Sequence, residues 1–181
     1  MPKALVPLGG SLLVERAART ASSVCRPVVV VLGARADDVV ATADLAGAEV
    51  VVNQAWESGM ASSLRAGLHA LADRPVDAAL VTLVDLPGMT ARALLAVAAH
   101  ARPGSLAVGT FDGVRGHPVL LGRDHWAGVV ATATGDEGAR RYLATADVAG
   151  QVVEVDCTGL ADPIDLDVPP GTTPAVGGSG R

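Results

Sequence analysis

Two acidic stretches of this 181-residue chain carry side chains that could do chemistry. Asp85-Leu86-Pro87 follows an apolar run that ends at Val84. A carboxylate at the mouth of a buried strand, held by a proline turn, is a good hard-oxygen ligand for Mg2+. That ion takes one or two carboxylates and fills its octahedron with water and substrate phosphates. Asp85 reads equally well as a residue that ends a strand or caps the helix beginning near Thr90. Near the end, Asp162-Pro163-Ile164-Asp165-Leu166-Asp167 sets three carboxylates within six residues. If this piece is extended, Asp165 and Asp167 share a side. Two like charges so close call for a cation or a basic group between them. A solvated acidic turn is the plainer alternative.

Three further segments could hold anions or base edges. Asn53, Trp56, Gly59, Ser62 and Ser63 lie in a turn that opens a helix, where free backbone N–H groups and hydroxyls face outward. An ordinary loop with a serine N-cap has the same composition. Gly113-Val114-Arg115-Gly116-His117-Pro118 leads into a strand, with His117 either structural or catalytic. Gly135-Asp136-Glu137-Gly138-Ala139-Arg140-Arg141 leads into a helix and could hold an anion at its N-terminus with Arg140 nearby. Either segment could equally be a surface turn.

Positioning these groups requires alternating strands and helices. Leu13, Ala17, Ala21 and Val24 share one face of a helix predicted over Ser11 to Val24. The run Pro27 to Gly33 reads as a strand buried on both sides. A short helix is predicted over Asp37 to Ala46, and strands over Glu49 to Val52 and Ala78 to Val84. Helices are predicted over Ser62 to Leu71 and from Thr90, as N-cap, to about His100. Leu106 to Val108, Pro118 to Leu121 and Val152 to Val155 complete the strands, with helical stretches at Asp124–Val130 and Gly138–Ala144. This alternation implies βαβ units, a mostly parallel sheet and helices on both faces. Ligands of such sheets bind beyond the carboxyl ends of the strands, where the segments above fall. The Pro-, Gly- and Thr-rich stretch 169–181 is expected to be a disordered tail following one domain over 1–168.

Composition narrows the class. Half of the residues are hydrophobic, only four are aromatic, and fourteen basic residues face nineteen acidic ones. A net charge of −5 without a basic cluster argues against a nucleic-acid partner. Mean hydropathy is +0.39, yet the apolar run Val28–Leu32 is far short of the ~20 residues that a membrane span needs. Cys25 and Cys157 are too few for a disulfide framework and lack metal-ligand spacing. Met1-Pro2-Lys3 shows no signal-peptide pattern, so a cytoplasmic α/β domain with no membrane partner is expected. Lys3 is the single lysine among the fourteen basic residues.

Six segments together, in order, resemble the MobA-like nucleotidyltransferases, most closely the molybdenum-cofactor cytidylyltransferase branch. They are Pro2-Lys3-Ala4-Leu5 with Pro7-Leu8-Gly9-Gly10; Val52-Asn53-Gln54-Ala55-Trp56-Glu57-Ser58-Gly59-Met60-Ala61-Ser62-Ser63-Leu64; Val84-Asp85-Leu86-Pro87; Gly116-His117-Pro118-Val119-Leu120; Gly135-Asp136-Glu137-Gly138-Ala139-Arg140; and Ile164-Asp165-Leu166-Asp167-Val168-Pro169.

The resemblance implies a three-layer αβα sandwich with a Rossmann-like sheet of the nucleotide-diphospho-sugar transferase type. It implies transfer of a nucleoside monophosphate from CTP to the phosphate of molybdopterin or molybdenum cofactor, with release of pyrophosphate. Asp85 would carry Mg2+, with Asp165 or Asp167 completing the metal site, and Lys3 would neutralise nucleotide phosphates. Asn53, Gly59, Ser62 and Ser63 would surround the nucleotide. Gly116, His117 and Pro118 would face the acceptor together with the Gly135–Ala139 loop, including Gly138. A molybdoenzyme or its chaperone would receive the product. GTP as donor, another small phosphorylated acceptor, or a non-catalytic cofactor-binding remnant are the alternatives. The chemistry agrees: phosphoryl-type transfer is mostly positioning plus electrostatics, and no Ser-His-Asp or Cys-His set is evident.

Departures from the family pattern accompany the likeness. The family opens with a strand and a glycine-rich turn of the form L-A-A-G-x-S-x-R-M-G, and Met1-Pro2-Lys3 corresponds to the very end of that signature. A sheet without this central first strand, and without the phosphate-cradling loop, is therefore expected. Leu86 stands where the family often has a polar residue, and Val168-Pro169-Pro170-Gly171 lacks the usual acidic continuation.

Overall fold

The computed structural model describes residues 2–166; Asp167 and the expected tail 169–181 lie outside the described residues. After a short helical turn at Lys3–Leu5 come β1 (Pro7–Leu8), β2 (Ser11–Leu12), α1 (Leu13–Ser22), β3 (Val29–Leu32), α2 (Ala36–Thr42) and β4 (Glu49–Val52). Then follow α3 (Met60–Ala70), β5 (Ala78–Val81), α4 (Ala91–Ala98), β6 (Leu106–Phe111), β7 (Val114–Gly122), α5 (Trp126–Thr132), α6 (Arg140–Val148) and β8 (Val152–Asp156).

Two hairpins depart from the predicted elements, and each has a local cause. Gly9 and Gly10, at φ +59° and +83°, form a two-residue loop that pairs Pro7 with Leu12 and Leu8 with Ser11. Such loops favour glycine because both central residues need positive φ. Ser11 and Leu12 are thereby drawn into a strand, so the helix starts at Leu13. Asp112-Gly113 does the same between β6 and β7, where Phe111 faces Val114. The isolated strand predicted over Pro118 to Leu121 is thus the end of a nine-residue strand.

The larger sheet has the order β5-β7-β6-β8. β6 runs parallel to β8, whereas β7 is antiparallel to both β5 and β6. Every residue of β6 is buried, as expected of a strand covered on both faces. Leu106 and Val108 pack with Leu68 of α3, Trp126 and Val129 of α5, and Leu143 of α6. Their neighbours Ala107 and Phe111 belong to the opposite layer, with Ala93 and Val97 of α4. Helices on both faces of the sheet make the three-layer sandwich anticipated above.

β3 and β4 form a separate parallel pair, with Val29 opposite Glu49 and Leu32 opposite Val52. Among the described residues no ladder joins this pair to the larger sheet. The sheet is interrupted at this point. Helix packing bridges it. Gly67 of α3 lies against Val31 of β3, where an added Cβ would come to 3.3 Å from Val31 Cγ2. The next residue, Leu68, is 3% exposed within the core of the larger sheet.

Close approach also fixes Gly122 at the end of β7. A Cβ there would strike the carbonyl oxygen of Pro103 and lie 2.6 Å and 2.7 Å from those of Ser105 and Arg102. Backbone atoms cannot yield as a side chain can. Gly122→Ala is therefore expected to cost about 2 kcal/mol by overpacking, lowering the thermal midpoint by ~4–8 °C at this chain length. A calorimetric melt measures it, and an unchanged midpoint would contradict the packing described.

Candidate active site

Beyond the end of β5 the chain leaves the ladder at Thr82 and runs to Pro87, presenting Asp85. The Asp85 carboxylate accepts a hydrogen bond from Lys3 Nζ at 2.8 Å, with the two side chains 21% and 42% exposed. The partners are 82 positions apart. A third segment joins them, because the N–H of Leu166 donates to the backbone oxygen of Asp85 at 2.8 Å. Three distant pieces named from the sequence thus converge: Lys3, Asp85 and the stretch containing Asp165.

The two late carboxylates among the described residues, Asp162 and Asp165, do not act as one group. Asp162 turns back on its own loop, its Oδ1 accepting from the Ile164 N–H at 3.0 Å. It is also wedged against Gly88, where an added Cβ would come within 2.5 Å of Asp162 Cβ. Asp165 is exposed beside Leu166. Among the described residues there is no group of three or more His, Cys, Asp or Glu that could hold a metal.

Next to this mouth lies a bulge. β6 and β7 pair Val108 with Val119 and then Gly109 with Gly116, so His117 and Pro118 are left out of the ladder. Bulges re-aim side chains and recur beside functional sites. Gly109 makes room for this one: a Cβ on it would sit 3.2 Å from Pro118 Cδ and 3.3 Å from the His117 carbonyl oxygen. The His117 ring lies with Nδ1 3.3 Å from the Val81 carbonyl oxygen. Burial pushes its pKa below the usual 6.5, with Arg140 adding to the effect and the Val81 carbonyl and Asp85 opposing it. A neutral imidazole therefore stands within electrostatic reach of Asp85 and Arg140.

The Asn53 segment is built as a self-bonded loop. The Asn53 N–H donates to the Leu32 oxygen at 2.7 Å, carrying the β3–β4 pairing one residue further. Its side chain, in a residue 6% exposed, donates to Ser62 Oγ at 2.7 Å and Ser63 Oγ at 3.0 Å. Asn53 Oδ1 accepts from the Ala55 N–H at 3.0 Å. Ser62 in turn directs its hydroxyl to the carbonyl oxygens of Gly59 and Ala55, at 2.8 and 3.0 Å. Trp56, 43% exposed, leans across the end of β3, and a Cβ on Gly33 would lie 2.6 Å from Trp56 Cβ.

The serine N-cap suggested by the sequence is not found: α3 starts at Met60, its N-cap is Gly59, and Ser62 falls inside the first turn. The cap comes from afar. Asp136 Oδ1 accepts the Met60 N–H at 3.1 Å, across 76 positions. The Gly135–Gly138 turn is thereby docked on α3, with the Asp136 carboxylate at that helix end. The sequence around Asp136 carries no signal that points to α3. Gly116 lies at the foot of the bulge, opposite Gly109.

The comparisons with known proteins bear on the family and the fold. Residues 1–152 match the MobA-like NTP transferase domain family. The chain is 39% identical over 150 residues to nicotine blue oxidoreductase of Paenarthrobacter nicotinovorans, an alignment covering 78% of this chain and 72% of that protein. The crystal structure of the Mycobacterium tuberculosis Rv0371c homologue from Mycobacterium sp. strain JC1 is similar at a TM-score of 0.78 and 28% identity, covering 92% of this chain and 82% of that one. Rv0371c of Mycobacterium tuberculosis H37Rv, in its complex with manganese, has the same fold at a TM-score of 0.75 and 24% identity, over 92% of this chain and 86% of that one. The α/β sandwich, the ordered motifs and the extent of the match lead to one statement: the chain belongs to the MobA-like NTP transferase family.

Proposed function

We propose that the protein transfers CMP from CTP to the phosphate of molybdopterin or molybdenum cofactor and releases pyrophosphate. The observation that carries this reading is the meeting of Lys3, Asp85 and the Asp165–Leu166 segment beyond β5. Both substrates are polyanions, and the attack of one phosphate on another requires positive charge between them. Lys3 supplies a fixed ammonium for the nucleotide phosphates. Asp85 and Asp165 are the residues that would hold Mg2+. Two carboxylates suit an ion that keeps several waters and takes its remaining oxygens from phosphate. A carboxylate has about four lone-pair sites, so Asp85 can serve Lys3 and a cation together. When bound, the ion offsets the charge that develops on both phosphates.

The protein's own groups do the rest. The Asn53–Ser63 loop with Gly59 takes the nucleotide, while Gly116, His117, Pro118 and the Gly135–Gly138 turn border the acceptor. A neutral His117 adds no charge there and leaves a ring nitrogen for a hydrogen bond. Among the described residues no helix is long and apolar enough to cross a membrane. The proposed setting is the cytoplasm, with a molybdoenzyme or its chaperone receiving the product.

Trp56 provides the test. It sits three positions past Asn53 and is 43% exposed, whereas Trp126 is 7% exposed. Adding CTP with Mg2+ is expected to change Trp56 emission, and later addition of molybdopterin to release pyrophosphate. GTP in place of CTP distinguishes a guanylyltransferase. The relative at 39% identity is a nicotine blue oxidoreductase and favours one second reading, an oxidoreductase, with nicotinamide nucleotides as the probe. Emission that responds to NADH or NADPH and not to CTP or GTP, without pyrophosphate release, would select it.

A further inference from the structure

We propose that Asp136 is a positioning residue, fastening the Gly135–Gly138 turn to the first turn of α3 so that occupancy of the Asn53–Ser63 loop fixes the start of α6. The inference rests on the reading of that loop as the nucleotide segment.

The joint is built from both sides. Asp136 Oδ1 accepts the Met60 N–H at 3.1 Å. Gly59, at φ +101°, leaves no room for a side chain: its Cβ would lie 2.5 Å from the Gly135 carbonyl carbon, 2.6 Å from that oxygen and 2.9 Å from Asp136 Oδ1. Gly138, buried at φ +54°, packs toward Met60, whose sulfur would be 3.5 Å from an added Cβ. One turn further along α3, Arg65 donates to the Ala133 oxygen at 2.8 Å, holding the chain just before the turn.

Local capping is not what this arrangement supplies. Ser58 precedes the N-cap, yet its hydroxyl donates to the Ala55 oxygen at 2.7 Å. Asn53 Oδ1 is committed to the Ala55 N–H. The free N–H at the helix start is met instead by a residue 76 positions away, four residues before the helix-starting Arg140. A carboxylate suits that position, since helix N-termini favour negative charge. The turn and α3 must consequently move together, and a nucleotide held by the loop restrains both.

Amide hydrogen exchange of the full chain, read by mass spectrometry with CTP and Mg2+ as probe, tests this. CTP is expected to protect residues 53–64 in the wild type, and to slow exchange of residues 134–146 by about 5-fold or more, the usual lower range of site coupling. Asp136→Ala should keep the first protection and lose the second. Asp136→Asn keeps an acceptor oxygen and should restore it. Equal transmitted protection in Asp136→Ala and wild type overturns the proposal. If CTP protects nothing at 53–64 in the wild type, the nucleotide reading fails instead. The joint is then judged without ligand: Asp136→Ala must speed exchange of both segments together, and an effect on one alone overturns it.

Discussion

Asp85→Asn is expected to lower the rate of pyrophosphate release by about a thousandfold, the upper range for removing one electrostatic contributor from a phosphoryl- or acyl-transfer site. The substitution keeps the shape and an acceptor oxygen for Lys3 but removes the charge. Stability should barely change. The Lys3–Asp85 pair is partly solvated, at 42% and 21% exposure, and such exposed pairs contribute under ~1 kcal/mol. Steady-state pyrophosphate release beside a thermal melt separates the two quantities. A variant within threefold of wild-type turnover would remove Asp85 from the mechanism.

Asn53→Ala is the second large effect, and it acts on both folding and binding. The amide makes bonds to Ser62, Ser63 and the Ala55 N–H in a residue 6% exposed. At ~1 kcal/mol for each lost bond, with no water to replace it, the variant should lose about 3 kcal/mol. For a chain of this size the thermal midpoint should fall by ~6–12 °C. The loop from Ala55 to Gly59 would lose its shape, so CTP affinity should weaken in parallel, measured by titration calorimetry well below the new midpoint. A variant that melts lower yet binds CTP as before would show that the loop serves the fold alone.

What the sequence reveals here follows the range of the interaction. The Val28–Leu32 and Glu49–Val52 runs are legible as strands because β-branched stretches suit a pleated sheet, although β3 buries only Val30 and Leu32, on one face, and β4 buries none of its residues. Thr90 is legible as a cap, and its Oγ1 does accept the Ala93 N–H at 3.3 Å. The Gly9-Gly10 and Asp112-Gly113 pairs are strong hairpin signals; β1 and β2 are too short to show an apolar pattern, while β6 and β7 show theirs only over Leu106 to Val108 and Pro118 to Leu121. Nothing local announces that Lys3 meets Asp85: the family resemblance gives one to the nucleotide phosphates and the other to the metal, and only the fold brings them together. The turn of Asp162 onto Ile164 is local, whereas the reach of Asp136 to Met60 depends on how distant segments dock, and a residue's type does not encode its partner.

The join between the two sheets has a mechanical consequence. A backbone ladder is directional and fixes neighbouring strands to within a fraction of an ångström, whereas side chains of a helix against a strand can slide a little at small cost. Gly67 on Val31 and Leu68 in the main core form a contact of the second kind. The span from the Asn53 loop to Asp85 is therefore a soft dimension of the molecule, able to lengthen or shorten slightly without breaking a backbone hydrogen bond.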